Sequence, residues 1–227
     1  MIPLRDDNPS SSRPIVTYLL ILASVLAFLY TVSLGSEAAI ERFVVAYGAI
    51  PGEITGRTGG SPISEYPTLL TSMFMHGGWL HLVGNMLYLW IFGDNVEDVM
   101  GHGAFLVFYL LVGLAAAWTF ILTAPGSTVP MIGASGAIAG VLGAYLALFP
   151  RARIISLVPL GFFLRVVPVP ALLFLPIWFL LQFIQGAASL GADTAGVAWW
   201  AHIGGFVAGF VLVWVFARGR RSRRDPW

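Results

Sequence analysis

The chain has 227 residues, 58% of them hydrophobic and only 10% charged, with a net charge of +1. A water-soluble domain carries roughly 25% charged residues, so this balance excludes an ordinary globular protein. Cysteine is absent, which excludes disulfides, thiolate metal sites and a cysteine nucleophile, and all twelve basic residues are arginine.

A membrane span needs about 20 largely apolar residues to cross a ~30 Å hydrocarbon core. In chain order, a polar N-terminal segment (1–14) leads into six candidate spans at 15–34, 79–92, 104–122, 132–149, 172–188 and 197–217. No Ala-x-Ala-like cleavage site follows the first apolar stretch, so it is expected to be retained. The second candidate is short and contains His81 and Asn85, polar residues that mark function when they lie within a span. Residues 35–78 form a long external segment rich in Gly, Pro, Ser and Thr, too long for a simple turn. Residues 150–171 carry Arg151, Arg153 and Arg165 among apolar residues and are expected to lie along the cytoplasmic interface. The basic tail, 218–227, suits anchoring to anionic lipid headgroups rather than nucleic acid.

The expected fold is all-α, a polytopic bundle of six transmembrane helices over residues 15–217. With six spans, Arg5, Arg13, Arg151, Arg153, Arg165 and the five arginines of 218–224 share one side, leaving Arg42 and Arg57 on the other. Basic residues collect on the cytoplasmic side, so both termini are expected to be cytoplasmic. Adding or removing a span would scatter these charges over both faces.

The even-numbered spans run in the same direction, and each carries a polar residue near its outer end: His81, Ser135 and His202. At ~1.5 Å rise per residue these stand roughly 20–24 Å above the first cytoplasmic charge, and so at a similar depth below the outer surface. A serine hydroxyl becomes nucleophilic when a neutral histidine takes its proton. The oxyanion formed on attack needs prepositioned donors. His81 and Asn85, four residues apart on one helical face, supply two, and the backbone N–H of Ser135 at its helix start supplies a third.

Taken singly, each residue has an ordinary alternative. Ser135 lies among small residues of the kind that pack helices together, as do Gly136, Gly140, Gly143, Gly205 and Gly209. His202 alone would be a buried hydrogen-bonding residue, and His81 with Asn85 could tie two helices together. Packing residues, however, have no reason to share one depth. His76 is a candidate for the water entrance and His102 for the cytoplasmic interface.

Three signatures resemble the rhomboid family of intramembrane serine proteases: His81-Leu82-Val83-Gly84-Asn85, Gly133-Ala134-Ser135-Gly136 and Ala201-His202-Ile203-Gly204-Gly205. Each is short, but their order and spacing together are specific, and the likeness covers roughly residues 15–217. It implies a Ser135–His202 dyad without an acidic third member, and an oxyanion held by His81, Asn85 and the Ser135 backbone. The acid nearest His202 in sequence is Asp193. The resemblance further implies a short, submerged fourth helix and a gate formed by the fifth span and the 186–198 loop. Two departures stand out. Pro67-Thr68 occupies the place of a Trp-Arg pair found in some members, and Ala139 replaces an aromatic residue that stacks on the base in many, so another group has to orient His202.

The expected activity is that of a serine endopeptidase acting on single-pass transmembrane substrates near the outer membrane face. Membrane lipids are the other expected contact, with no cofactor or metal, and a bacterial plasma membrane is the expected location. The alternative is a catalytically inactive relative that binds membrane helices. A zinc protease would need H-E-x-x-H, which does not occur, and an aspartyl one would need paired acids within the spans. A transporter would not explain the confinement of the polar residues to one end of the membrane.

Overall fold

The apolar runs become helices whose apolar side chains both fill the core, as Leu89, Phe92 and Leu142 do, and cover much of the exterior. The computed structural model describes residues 1–59, 65–161, 163–188 and 198–217. Helix α1 spans Ile15–Ser33. The segment 35–78 holds α2 (Glu37–Tyr47), α3 (Pro51–Ile54), α4 (Thr68–Thr71) and a 3-10 turn, Ser72–Phe74. Then follow α5 (Trp79–Met100), α6 (His102–Thr123), α7 (Ser135–Leu148), α8 (Ala171–Ala188) and α9 (Trp199–Phe216).

Four helices, α1, α6, α8 and α9, are long and apolar enough to cross a membrane, and α7 is a shorter apolar helix. Helix α5 runs eight residues beyond its expected end at Phe92, because its last turns, carrying Asp94, Glu97 and Asp98, continue past the apolar run. The surface is inverted relative to a water-soluble protein. Leu22 and Leu26 on α1, Leu181 and Ile184 on α8, and Val211 and Trp214 on α9 are exposed, whereas Thr17, Asn85, Glu97, Gln182 and His202 are buried. An apolar exterior with hydrogen-bonded polar groups inside is what a hydrocarbon solvent selects.

Helix α7 is central and packs most extensively on α9. Gly205 and Gly209 on α9 face the carbonyl oxygens of Gly136 and Gly140 so closely that a Cβ on either would collide with them. Glycine at these crossings lets the two backbones touch.

The segment 150–171, expected along the cytoplasmic interface, is largely a β-hairpin. Strands β2 (Arg153–Leu160) and β3 (Phe163–Pro170) pair antiparallel, Arg153 opposite Pro170, with Gly161 at φ +62° in the turn. Strand β1 (Ile2–Asp6) adds to the other edge of β2, giving a three-stranded sheet attached to the helical bundle. The sheet lies at the end of α7 opposite Ser135: Asp6 accepts a 2.5 Å hydrogen bond from the hydroxyl of Tyr145, in the last turn of α7. The 218–227 tail lies outside the described residues.

Burial pushes the Asp6 carboxyl up from 3.8 to about 6, with Asp94 and Asp7 adding to the effect and the Tyr145 hydroxyl opposing it. Between those values the folded chain holds the Asp6 proton more tightly than the unfolded chain does, so this group's contribution to stability declines as pH rises from about 4 to 6. Asp6→Asn cannot titrate. The melting temperature of the native protein is therefore expected to fall relative to that of Asp6→Asn across this window, and a pH-independent difference between the two refutes the linkage.

Candidate active site

Ser135 is the first residue of α7, and its Oγ lies 2.8 Å from Nε2 of His202, in the first turn of α9. The glycine contacts between α7 and α9 make this separation possible by removing side chains from the crossing directly beneath it. The small residues around Ser135 therefore serve packing and geometry together. The other ring nitrogen of His202, Nδ1, is 2.6 Å from Oε1 of Gln182 on α8. Trp178 and Trp199 flank the imidazole, each with its ring centroid 6.0 Å away.

His81 and Asn85 project from the first two turns of α5 into the same region. The Gly77 N–H donates to His81 Nδ1 at 3.4 Å, which leaves Nε2 as the protonated, donating nitrogen. That nitrogen faces the backbone beside Ser135, and a Cβ on Gly133 would stand 2.8 Å from it. Gly133 also adopts φ +128°, so a side chain there would be strained as well as obstructed. Asn85 is buried, and its Nδ2 has no partner among the described residues. A buried donor without a partner is costly unless something else comes to accept from it. The Ser135 N–H, in the first turn of α7, is also free of helix bonding. The side chains of His81 and Asn85 therefore line the same cavity as the serine hydroxyl.

These groups line a cavity of about 1420 Å³ that extends from Ser135 and His202 past Asn85 to the α6–α7 connection and Arg57. Such a space can admit water and a peptide segment together. The described residues contain no cluster of His, Cys, Asp or Glu arranged to hold a metal ion.

Comparison with known proteins supplies the family. The model of the Rhomboid domain matches residues 64–219. The chain belongs to the rhomboid family. It is 31% identical over 202 residues to the rhomboid protease GluP of Bacillus subtilis (strain 168), a match covering 88% of this chain and 34% of GluP. It is 30% identical over 162 residues to Rhomboid protein 1, mitochondrial, of Saccharomyces cerevisiae, covering 70% of this chain and 44% of the relative. It is 33% identical over 175 residues to Presenilin-associated rhomboid-like protein A, mitochondrial, of Danio rerio, covering 73% and 43%. The chain thus spans between a third and a half of the length of each of these rhomboid relatives. It is a multi-pass membrane protein of this family.

The remaining sequence candidates take other positions in the rhomboid fold. His76, proposed for the water entrance, is buried, donates from Nδ1 to the Phe74 carbonyl at 3.2 Å, and meets the His81 ring edge-on at 5.1 Å. His102 contacts the buried Glu97 at 2.5 Å, away from the cavity. Asp193 lies outside the described residues, as does most of the 186–198 loop. The sequence reading did not single out Gln182. The available signal was a pair of glutamines, Gln182 and Gln185, in an otherwise apolar span, since such residues need partners; only Gln182 is buried.

Proposed function

We propose that this rhomboid-family protein is an intramembrane serine endopeptidase that cleaves single-pass transmembrane substrates near the outer membrane face. The observation that carries this reading is the 2.8 Å contact between Ser135 Oγ and His202 Nε2 in a cavity lined by spare hydrogen-bond donors. Ser135 Oγ attacks the scissile carbonyl carbon while its proton passes to His202 Nε2. The resulting oxyanion accepts from His81 Nε2–H, Asn85 Nδ2–H and the Ser135 N–H. As the tetrahedral intermediate collapses, His202 gives its proton to the departing amine, leaving an acyl ester on Ser135. Water from the cavity then attacks that ester, His202 takes the water's proton and returns it to Ser135 Oγ, and the new carboxylic acid leaves.

The reading extends to topology. Residues 15–217 form the catalytic domain, with α1, α5, α6, α7, α8 and α9 as its six spans, flanked by the cytoplasmic 1–14 segment and the basic 218–227 tail. The arginine bias supports cytoplasmic termini, the apolar exterior suits contact with lipid, and the location in this reading is a bacterial plasma membrane. Favoured substrates carry helix-destabilising residues near the cut, because a peptide bond in a regular helix is shielded by its own backbone. The name of one relative, a rhomboid protease, agrees with this activity.

The test is wild-type protein in liposomes with a single-span peptide carrying glycine near its outer end, together with an alkyl fluorophosphonate. Cleavage just inside the outer face and a mass shift on Ser135 are expected. Folded protein that gives neither result points instead to an inactive member that binds membrane helices.

A further inference from the structure

We propose that Gln182 is a positioning residue for the base, forming with Ser135 and His202 a Ser–His–Gln relay whose third member is uncharged. The proposal rests on the protease reading above. His202 Nε2 can accept the serine proton only if the neutral ring carries its own proton on Nδ1. That proton needs an acceptor, and His202 is only 7% exposed, so water is a poor candidate. Gln182 Oε1 stands 2.6 Å from Nδ1 and is itself buried. An amide oxygen can only accept, so Nδ1 must be the donor and Nε2 is left with its lone pair toward Ser135.

Among the described residues, the other side chains beside the ring cannot do this. Trp178 and Trp199 flank the ring, but an indole nitrogen is a donor only. Ala139, buried beneath the site, has no polar group. A carboxylate at this depth would have to be stripped of water and would need a further partner, whereas an amide sets the tautomer without burying a charge. Gln182 belongs to α8, while Ser135 and His202 belong to α7 and α9. The productive tautomer therefore depends on α8 being seated against α9, a dependence absent from a two-residue dyad.

A merely structural interhelical hydrogen bond would affect stability and leave chemistry alone. The experiment compares wild type, Gln182→Met and Gln182→Glu in liposomes. It measures kcat and KM on the single-span peptide, the rate of fluorophosphonate labelling at Ser135, and the melting temperature. Methionine keeps length without an acceptor. It is expected to lower kcat about 10- to 100-fold and slow labelling in parallel, with KM little changed and the melting temperature lowered only slightly by the stranded Nδ1–H. Glutamate keeps an oxygen at the same reach, so it is expected to label faster than Gln182→Met even with the cost of burying its carboxyl group. Wild-type kcat and labelling in Gln182→Met overturn the proposal and leave the protease reading intact. Equal loss in both variants with early melting also overturns it, reducing Gln182 to a structural tie. Wild type that neither cleaves nor labels overturns the protease reading itself, and the relay with it.

Discussion

Alanine in place of Ser135 is expected to lower kcat by roughly 10⁴- to 10⁶-fold, and alanine in place of His202 is expected to do the same. In the proposed mechanism the two residues act in one step, since the hydroxyl is unreactive without a proton acceptor and the imidazole has nothing to activate without the hydroxyl. Their 2.8 Å separation makes them one unit, so the double variant is expected to be no slower than either single one. Additive losses would mean that the residues act independently and that this geometry is not the working one. Losses at the oxyanion donors should be smaller. His81→Ala and Asn85→Ala each remove one donor of three, with an expected fall of roughly 10²- to 10³-fold in kcat. Cleavage of a single-span peptide in liposomes measures all of these. Residual cleavage by Ser135→Ala at the wild-type rate would assign the chemistry to another residue.

The largest expected loss of stability comes from a residue remote from the cavity. Glu97→Ala is expected to destabilise the protein by about 3–5 kcal/mol, comparable with breaking a buried charged network. The Glu97 side chain is fully buried and accepts from the Val16 N–H at 2.9 Å, the Thr17 N–H at 2.8 Å and the Thr17 hydroxyl at 2.7 Å. Helix α1 begins after Pro14, which provides no side-chain cap. The first N–H groups of a helix have no partners within it, and the negative end of a carboxylate is well matched to them. Glu97, reaching over from α5, thus does the capping that α1 cannot do for itself. It also holds His102 at 2.5 Å, tying the starts of α1 and α6 to the end of α5. Removing the carboxylate strands several buried donors at once. Melting in detergent is the measurement, with a drop of roughly 10 °C expected for Glu97→Ala. Glu97→Gln keeps one acceptor oxygen and should lose less. A melting temperature unchanged by Glu97→Ala would show that water satisfies those donors equally well.

The contrast between Glu97 and Ser135 shows what was legible in the sequence. Spans 15–34, 104–122, 172–188 and 197–217 were readable because each helix is long and uniformly apolar, and their observed limits differ by one or two residues. Helix α5 was read short, since hydropathy ends where Asp94 and Glu97 begin while the backbone remains helical. Its acids are tolerated there because α1 and the Ser11–Ser12 stretch bring donors to Glu97 and Asp98. The hairpin carried a signal that was read as an interfacial segment: β-branched residues at Ile154, Ile155, Val158, Val166, Val167 and Val169, around a turn at Gly161. No local pattern announces that Ile2–Asp6 will pair with β2, because that contact joins residues about 150 positions apart.

Within the site, the residue types, their shared depth and the expected pairing of Ser135 with His202 were legible, whereas the contacts that hold them were not. Ser135, His202, His81 and Asn85 stand out because polar groups are expensive in an apolar span and these four suit one chemistry. The sequence by itself therefore determined a multi-pass membrane protein and a short list of candidate catalytic side chains, since hydropathy and residue chemistry are properties of single positions and short windows. Only the tertiary structure decided that α7 and α9 touch through glycine, that the serine and histidine consequently meet at 2.8 Å, and that Gln182 and Glu97 receive their hydrogen bonds from other helices. These are pairings between distant segments, set by which backbones can approach closely and which buried donors remain to be satisfied.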